Sequence, residues 1–136
     1  MTQTRTLTVA ACGTSAGLHG ALAVVHAREL PVHAAAFLTA ALALALTAFV
    51  LALRPELREG AGAATVLFAA LLLAYPLARH EPFDTVAGIA KAVEAVGLLF
   101  AAQLLRLRPR VPEPGVGVVF LLCVAAGIML GGGHAH

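Results

Sequence analysis

Charged residues are scarce in this sequence. Only 12% of its 136 residues are Asp, Glu, Lys or Arg, and tryptophan is absent. A soluble domain carries about 25% charged residues, so nine basic and seven acidic side chains are too few to hydrate the surface of a chain this long. The shortage argues against a cytosolic globule, a disordered tail and a nucleic-acid-binding module. Because 60% of the residues are apolar, the sequence predicts an integral membrane protein.

Several motifs that mark enzymes and cofactor proteins are also missing. The sequence has no phosphate-binding loop, no H-E-x-x-H zinc motif and no C-x-x-C-H haem attachment site, so these patterns identify no reaction. His19 is the only histidine deep in a predicted span, which argues against a haem held by two histidines on facing helices. Two cysteines and two methionines provide no ladder of sulfur ligands for a soft metal.

Five apolar stretches are long enough to cross a bilayer. A helix needs about 20 apolar residues to span about 30 Å of hydrocarbon. The runs are continuous and rich in Leu and Ala, unlike the alternating pattern of a β-barrel. Short breaks that contain proline separate them, which predicts turns between antiparallel helices. We predict an all-α, single-domain bundle of five transmembrane helices at about 6–27, 33–53, 61–78, 84–105 and 115–133.

Arginines indicate how the bundle is oriented. Loops on the cytoplasmic side of a membrane protein are enriched in Lys and Arg. Arg28 and Arg79 fall on one predicted side, and six arginines fall on the other: Arg5, Arg54, Arg58, Arg106, Arg108 and Arg110. This asymmetry predicts a multi-pass protein of the plasma (inner) membrane with a cytoplasmic N-terminus and, after five crossings, an outer C-terminus.

In that orientation all six histidines lie in the outer half. Imidazole and carboxylate are common ligands of zinc and of borderline transition metals. The sequence therefore favours a Zn²⁺ or Cu²⁺ site at the outer face, with a capturing tail and a deeper second site. The candidate ligands are His26, His33, His80, Glu29, Glu81 and Asp84 at the face, His134 and His136 in the tail, and His19 and Glu94 at depth.

A simpler interpretation of the histidines stays open. Histidine is tolerated at membrane interfaces, and neighbours in sequence need not converge in space. No tight spacing such as H-x-x-x-H is present. The metal hypothesis therefore depends on composition and on the predicted sidedness.

Polar residues form a stripe along the first predicted helix, and two charged residues inside the fourth predicted helix are candidate partners for this stripe. The stripe side chains recur at helical spacing and comprise Thr8, Cys12, Ser15, His19 and His26. Lys91 and Glu94 lie inside the fourth span, about 10–15 Å below the outer surface, as does His19. We predict a buried polar layer of His19, Lys91 and Glu94. The alternatives are a Lys91–Glu94 pair within one helix, with His19 bonded to a backbone carbonyl, or an interfacial start to that helix.

Three functions remain in competition. The first is transition-metal binding by outer histidines. The second is an accessory or structural subunit, because small multi-span chains rich in Ala and Gly suit homo-oligomers and larger membrane complexes. The third is ion or proton transport through the stripe, using His19 and Glu94. Besides the lipid bilayer, the expected partners are copies of this chain or a larger membrane complex, with no nucleic acid and no enzyme activity indicated.

Overall fold

The described part of the chain forms four helices, each long and apolar enough to cross a membrane. A computed structural model describes residues 2–54, 58–78 and 85–106. In chain order the helices are α1 (Thr2–His26), α2 (Pro31–Leu53), α3 (Arg58–Ala78) and α4 (Thr85–Arg106). These support the prediction of a multi-pass helical membrane protein. The fifth predicted span, 115–133, and with it the number of crossings, lies outside the described residues.

The helices extend beyond the predicted spans at their polar ends. α1 begins at Thr2 rather than at residue 6. α3 begins at Arg58 rather than at residue 61, so Arg58, Glu59 and Gly60 belong to a helix, where we had expected a turn. Hydropathy locates only the part of a helix that lies in hydrocarbon, whereas backbone hydrogen bonding continues into the interface. α2 begins at Pro31, a position that tolerates proline because the first-turn N–H has no partner within the helix.

The four helices pack in a ring. α1 contacts α2 and α4, and α3 contacts the same two helices. The start of α3 meets the end of α4, since Nη2 of Arg58 donates a hydrogen bond of 2.7 Å to the carbonyl of Leu105. One end of the bundle therefore carries the arginines of four helix termini, and we call it the arginine end: Arg5, Arg54, Arg58 and Arg106. The opposite end, which holds His26 and His33, is the histidine end.

α1 is the most enclosed helix. Of its membrane-spanning window, 67% is buried, against 22–28% for the other three helices. The outer faces of α2, α3 and α4 carry large apolar side chains that the protein leaves uncovered, including Leu42, Phe49, Val66, Leu73 and Leu99. Such faces are unfavourable in water and favourable against lipid chains, so these faces are consistent with contact to a bilayer.

A small residue brings α3 and α4 together in the core. A Cβ atom built on Gly97 would lie 2.5 Å from Cζ of Phe68, a distance at which atoms collide. The fully buried Phe68 ring therefore rests directly on the α4 backbone. It belongs to a large apolar cluster on the arginine side of the bundle, whereas a smaller one of Leu18, Val86 and Ala90 lies on the histidine side. Along α4, Glu94 falls between the two clusters.

Candidate functional site

Glu94 is a fully buried carboxylate in the middle of α4. Its side chain has no exposed surface, and its Oε2 atom accepts a hydrogen bond of 2.7 Å from Nζ of Lys91, one turn earlier. A buried charge is costly unless it is paired and hydrogen-bonded. The lysine therefore compensates one carboxylate oxygen from within the same helix.

Lys91 also connects Glu94 to α3. Its ammonium donates a hydrogen bond of 3.0 Å to the carbonyl of Leu71 and lies 5.3 Å from the centre of the Tyr75 ring. Both contacts favour a cation. Pro76, inside α3, has no N–H to donate to the Leu72 carbonyl, so α3 lacks one backbone hydrogen bond in the same turn. Lys91 is thereby held between two helices with its charge directed at Glu94.

His19 reaches the same carboxylate from α1. The ring is buried; its Nδ1 lies 2.9 Å from the backbone oxygen of Ser15, and its Nε2 lies 3.6 Å from Oε1 of Glu94. The edge of the ring meets Phe37 of α2, with ring centres 5.8 Å apart. The structure thus places His19, Lys91 and Glu94 together, and we call this group the buried triad.

Hydrogen bonding fixes one proton of His19. A carbonyl oxygen only accepts, so the short contact to Ser15 requires the proton to be on Nδ1. In a neutral ring Nε2 then carries a lone pair, and that lone pair faces Oε1 of Glu94, an atom with no hydrogen-bond partner. Two acceptors that face each other are stabilised when one proton lies between them, either on the ring or on the carboxyl group. At 3.6 Å the two atoms are close but have no hydrogen bond between them.

The simpler interpretation of this region is part of the arrangement. The lysine and glutamate pair within α4, and His19 bonds a backbone carbonyl of its own helix, as the simpler interpretation required. The approach of His19 to Glu94 is present in addition. The rest of the polar stripe is interior as well, because Thr8, Cys12 and Ser15 have no exposed surface.

Ser15 lies in the sequence Gly13-Thr14-Ser15-Ala16-Gly17, which has the G-x-S-x-G spacing of hydrolase nucleophiles. That motif works at a sharp turn between a strand and a helix, whereas Ser15 is fully buried in the middle of α1. Its hydroxyl is 3.4 Å from Nδ1 of His19, the nitrogen whose proton is directed at the Ser15 carbonyl. Nδ1 of His19 therefore has no lone pair with which to activate the serine, and the lone pair of Nε2 faces Glu94 instead.

The candidate metal ligands that are described do not form a cluster. Nδ1 of His26 lies 2.9 Å from the Leu22 carbonyl, and the ring is tilted against Phe37 at 5.3 Å between centres. Glu29 and His33 are exposed at the same end. Within residues 2–54, 58–78 and 85–106, no three side chains of His, Cys, Asp or Glu are arranged to hold a metal ion. The other predicted ligands lie outside the described residues, so the metal site stays a prediction: His80, Glu81, Asp84, His134 and His136.

Sequence analysis missed the burial of Arg5. We assigned this residue to a cytoplasmic flank, yet only 6% of it is exposed. A signal was present, because Arg5 precedes Thr8 by three residues and Cys12 by seven, the spacing of the polar stripe. No sequence spacing of this kind marked the groups that surround the triad, which are Tyr75, Phe37 and the Leu71 carbonyl.

Comparison of the chain with protein-family models, with curated proteins and with solved structures finds no match. The functional conclusion therefore depends on the geometry of the site.

Proposed function

We propose that this chain is a membrane protein that binds and releases a proton at the His19–Glu94 pair as a step in proton or ion transport. The observation that carries the proposal is the approach of Nε2 of His19 to Oε1 of Glu94 at 3.6 Å. Ionisable residues inside a membrane are costly and tend to mark ion pathways and proton relays. A purely structural ion pair would need only Lys91 and Glu94.

The charges around the pair support an exchangeable proton. With Lys91 cationic, Glu94 anionic and His19 neutral, the triad has no net charge, and one added proton makes it +1. The groups that face the pair are Lys91 from α4, Tyr75 from α3 through its contact with Lys91, and the uncharged Phe37 from α2. The two states therefore differ by a single charge that no other described contact neutralises.

Access from the histidine end is favoured by the packing. On that side the buried apolar cluster consists of Leu18, Val86 and Ala90. The rings of His19 and His26 both contact Phe37, so His26 is one ring away from the triad. Towards the arginine end, the large apolar cluster that contains Phe68 separates the triad from the surface. We propose that protons enter at the histidine end and that Phe68 is part of the barrier below the triad.

The number of crossings, the orientation and the assembly of the chain are also proposals. We propose a fifth crossing at 115–133, a cytoplasmic arginine end, an outer histidine end and a location in the plasma (inner) membrane. A bundle this thin requires a homo-oligomer or a larger membrane complex to complete a conduit. Metal binding by the outer histidines and an accessory-subunit role remain the alternatives.

Proton flux into liposomes tests the transport step. The full chain is reconstituted, a potassium-diffusion potential is imposed, and internal pH is followed with a dye. We expect Glu94→Gln to remove the flux, because the neutral amide cannot take up the proton. Glu59→Gln is the matched control, since Glu59 is an exposed acid in the first turn of α3. Equal flux in wild type, E94Q and E59Q removes Glu94 from any transport role.

Infrared difference spectra test proton binding separately from transport. Spectra of the purified protein are compared between acidic and alkaline buffer, and carboxyl and imidazole bands report where the proton resides. We expect E94Q and His19→Gln each to change a band that Glu59→Gln and His33→Gln leave intact. The exposed His33 is the matched control for His19. If neither triad variant changes the spectrum, the pair does not exchange a proton and the proposal is wrong.

A further inference from the structure

Arg5 is a buried cation with no counterion among the residues that the structure describes. It lies in the first turn of α1, 6% of the residue is exposed, and neither Nε nor Nη2 has a hydrogen-bond partner in the described part of the chain. Removing a charge from water without a partner is energetically costly. A guanidinium in this position is therefore stabilised by an anion that binds to it.

The two unpartnered nitrogens lie on the same edge of the guanidinium group. The N–H bonds of Nε and Nη2 run side by side and form the fork that binds two oxygens of a carboxylate or phosphate. Both buried nitrogens of Arg5 that lack a partner belong to this edge. Its geometry calls for an oxyanion with two oxygens rather than a single acceptor such as a water.

The surrounding charge favours an anion from outside the described fold. The arginine end carries Arg54, Arg58 and Arg106 beside Arg5, and the only acidic residue described there is the exposed Glu59. The N-termini of α1 and α3 also lie at this end and add positive dipole character. Basic clusters next to transmembrane helices attract anionic lipid headgroups, and the apolar side chain of Leu7, two residues on, is 44% exposed and accessible to lipid.

We propose that the Nε–Nη2 edge of Arg5 binds a phosphate oxyanion at the arginine end of the bundle, supplied by the headgroup of an anionic phospholipid. The long side chain can turn towards the interface while its stem stays packed. This site is independent of the buried triad, so the failure of one proposal leaves the other standing.

Lipid retention tests the site on the full chain. Protein is purified in detergent with phosphatidylglycerol or phosphatidylcholine, and bound lipid is counted by native mass spectrometry. We expect wild type to retain phosphatidylglycerol in preference, and Arg5→Gln to weaken this retention by about tenfold or more, the equivalent of one charge-assisted hydrogen bond. Arg106→Gln is the matched control, because it removes an exposed charge from the same end and lowers only the general attraction.

A second variant and a second ligand make the result decisive. Arg5→Lys keeps the charge but not the fork, so we expect it to fold as wild type does and to bind phosphatidylglycerol between wild type and R5Q. Inorganic phosphate added to lipid-free protein distinguishes the source of the oxyanion. If phosphate raises the melting temperature of wild type but not of R5Q, and the protein shows no preference between lipids, then the same edge of Arg5 binds soluble phosphate instead of a lipid headgroup.

Two outcomes overturn the proposal. One is equal retention of phosphatidylglycerol in wild type and R5Q, with no thermal response to phosphate in either. The other is an anion supplied by this chain itself, from Glu56 or Glu113, two acidic residues outside the described part of the structure. In that case Glu56→Gln or Glu113→Gln lowers the melting temperature of lipid-free protein as much as an Arg5 variant, and the double variant is no worse than either single one.

Discussion

The Nε2 atom of His19 lies 3.6 Å from Oε1 of Glu94, so a histidine of α1 and a glutamate of α4 face each other where both side chains are buried. The other oxygen of the same carboxylate is bound by Lys91. One carboxylate therefore connects two cationic or protonatable groups on different sides. Its two oxygens are not equivalent: one is fixed by an ammonium group and the other is available to a proton.

The Lys91–Glu94 pair predicts a non-additive effect on stability. We expect Lys91→Met to lower the free energy of unfolding by about 3–5 kcal/mol, because it leaves a buried carboxylate without its cation. The double variant K91M/E94Q should recover most of this loss, since no uncompensated charge remains. Reversible unfolding in micelles measures both. A double variant as unstable as K91M would show that the lysine acts through packing rather than charge.

The contact between Gly97 and Phe68 predicts opposite effects of one substitution at two glycines. Gly97→Ala places a Cβ against the buried ring, and we expect it to destabilise the protein by about 1–3 kcal/mol. Gly62 has open space around its Cα, so Gly62→Ala should be neutral or stabilising by up to about 1 kcal/mol. Thermal unfolding compares the two. Equal melting temperatures for G97A and G62A would contradict the close approach of Phe68 to α4.

The exposed apolar faces predict which residues contact lipid. Because the sequence contains no tryptophan, a single introduced indole reports its own surroundings. We expect Phe49→Trp, at a position 55% exposed on α2, to be quenched strongly by brominated lipid, and Phe68→Trp, at a buried position, to be quenched weakly. Circular dichroism verifies that both variants keep their helices. Stronger quenching at position 68 than at position 49 would show that our assignment of the lipid-facing helix surfaces is wrong.

The metal hypothesis predicts a metal content that depends on outer histidines. Elemental analysis of protein loaded with Zn²⁺ or Cu²⁺ should find bound metal, and the triple variant H26A/H33A/H80A should lose it. His19→Gln is a useful comparison, because its Nδ1 and Nε2 are directed at Ser15 and Glu94 rather than at the histidine end. Protein that contains no metal after loading would eliminate this function.

The sequence determined the positions of residues along the membrane normal. Each helical residue advances about 1.5 Å, so counting from the turns was enough to place His19, Lys91 and Glu94 at one depth. Four of the five predicted spans coincide with described helices to within a few residues, because long apolar runs leave a chain few alternatives in lipid.

Only the tertiary structure decided which faces of the helices meet. The direction of a side chain around its helix axis has meaning only when the neighbouring helices and their rotations are known. For this reason the sequence did not reveal that Phe68 rests on Gly97, that Leu71 and Tyr75 receive Lys91, or that Arg5 is enclosed. Depth follows from local backbone geometry, whereas contact across the bundle follows from packing between segments that are distant in the chain.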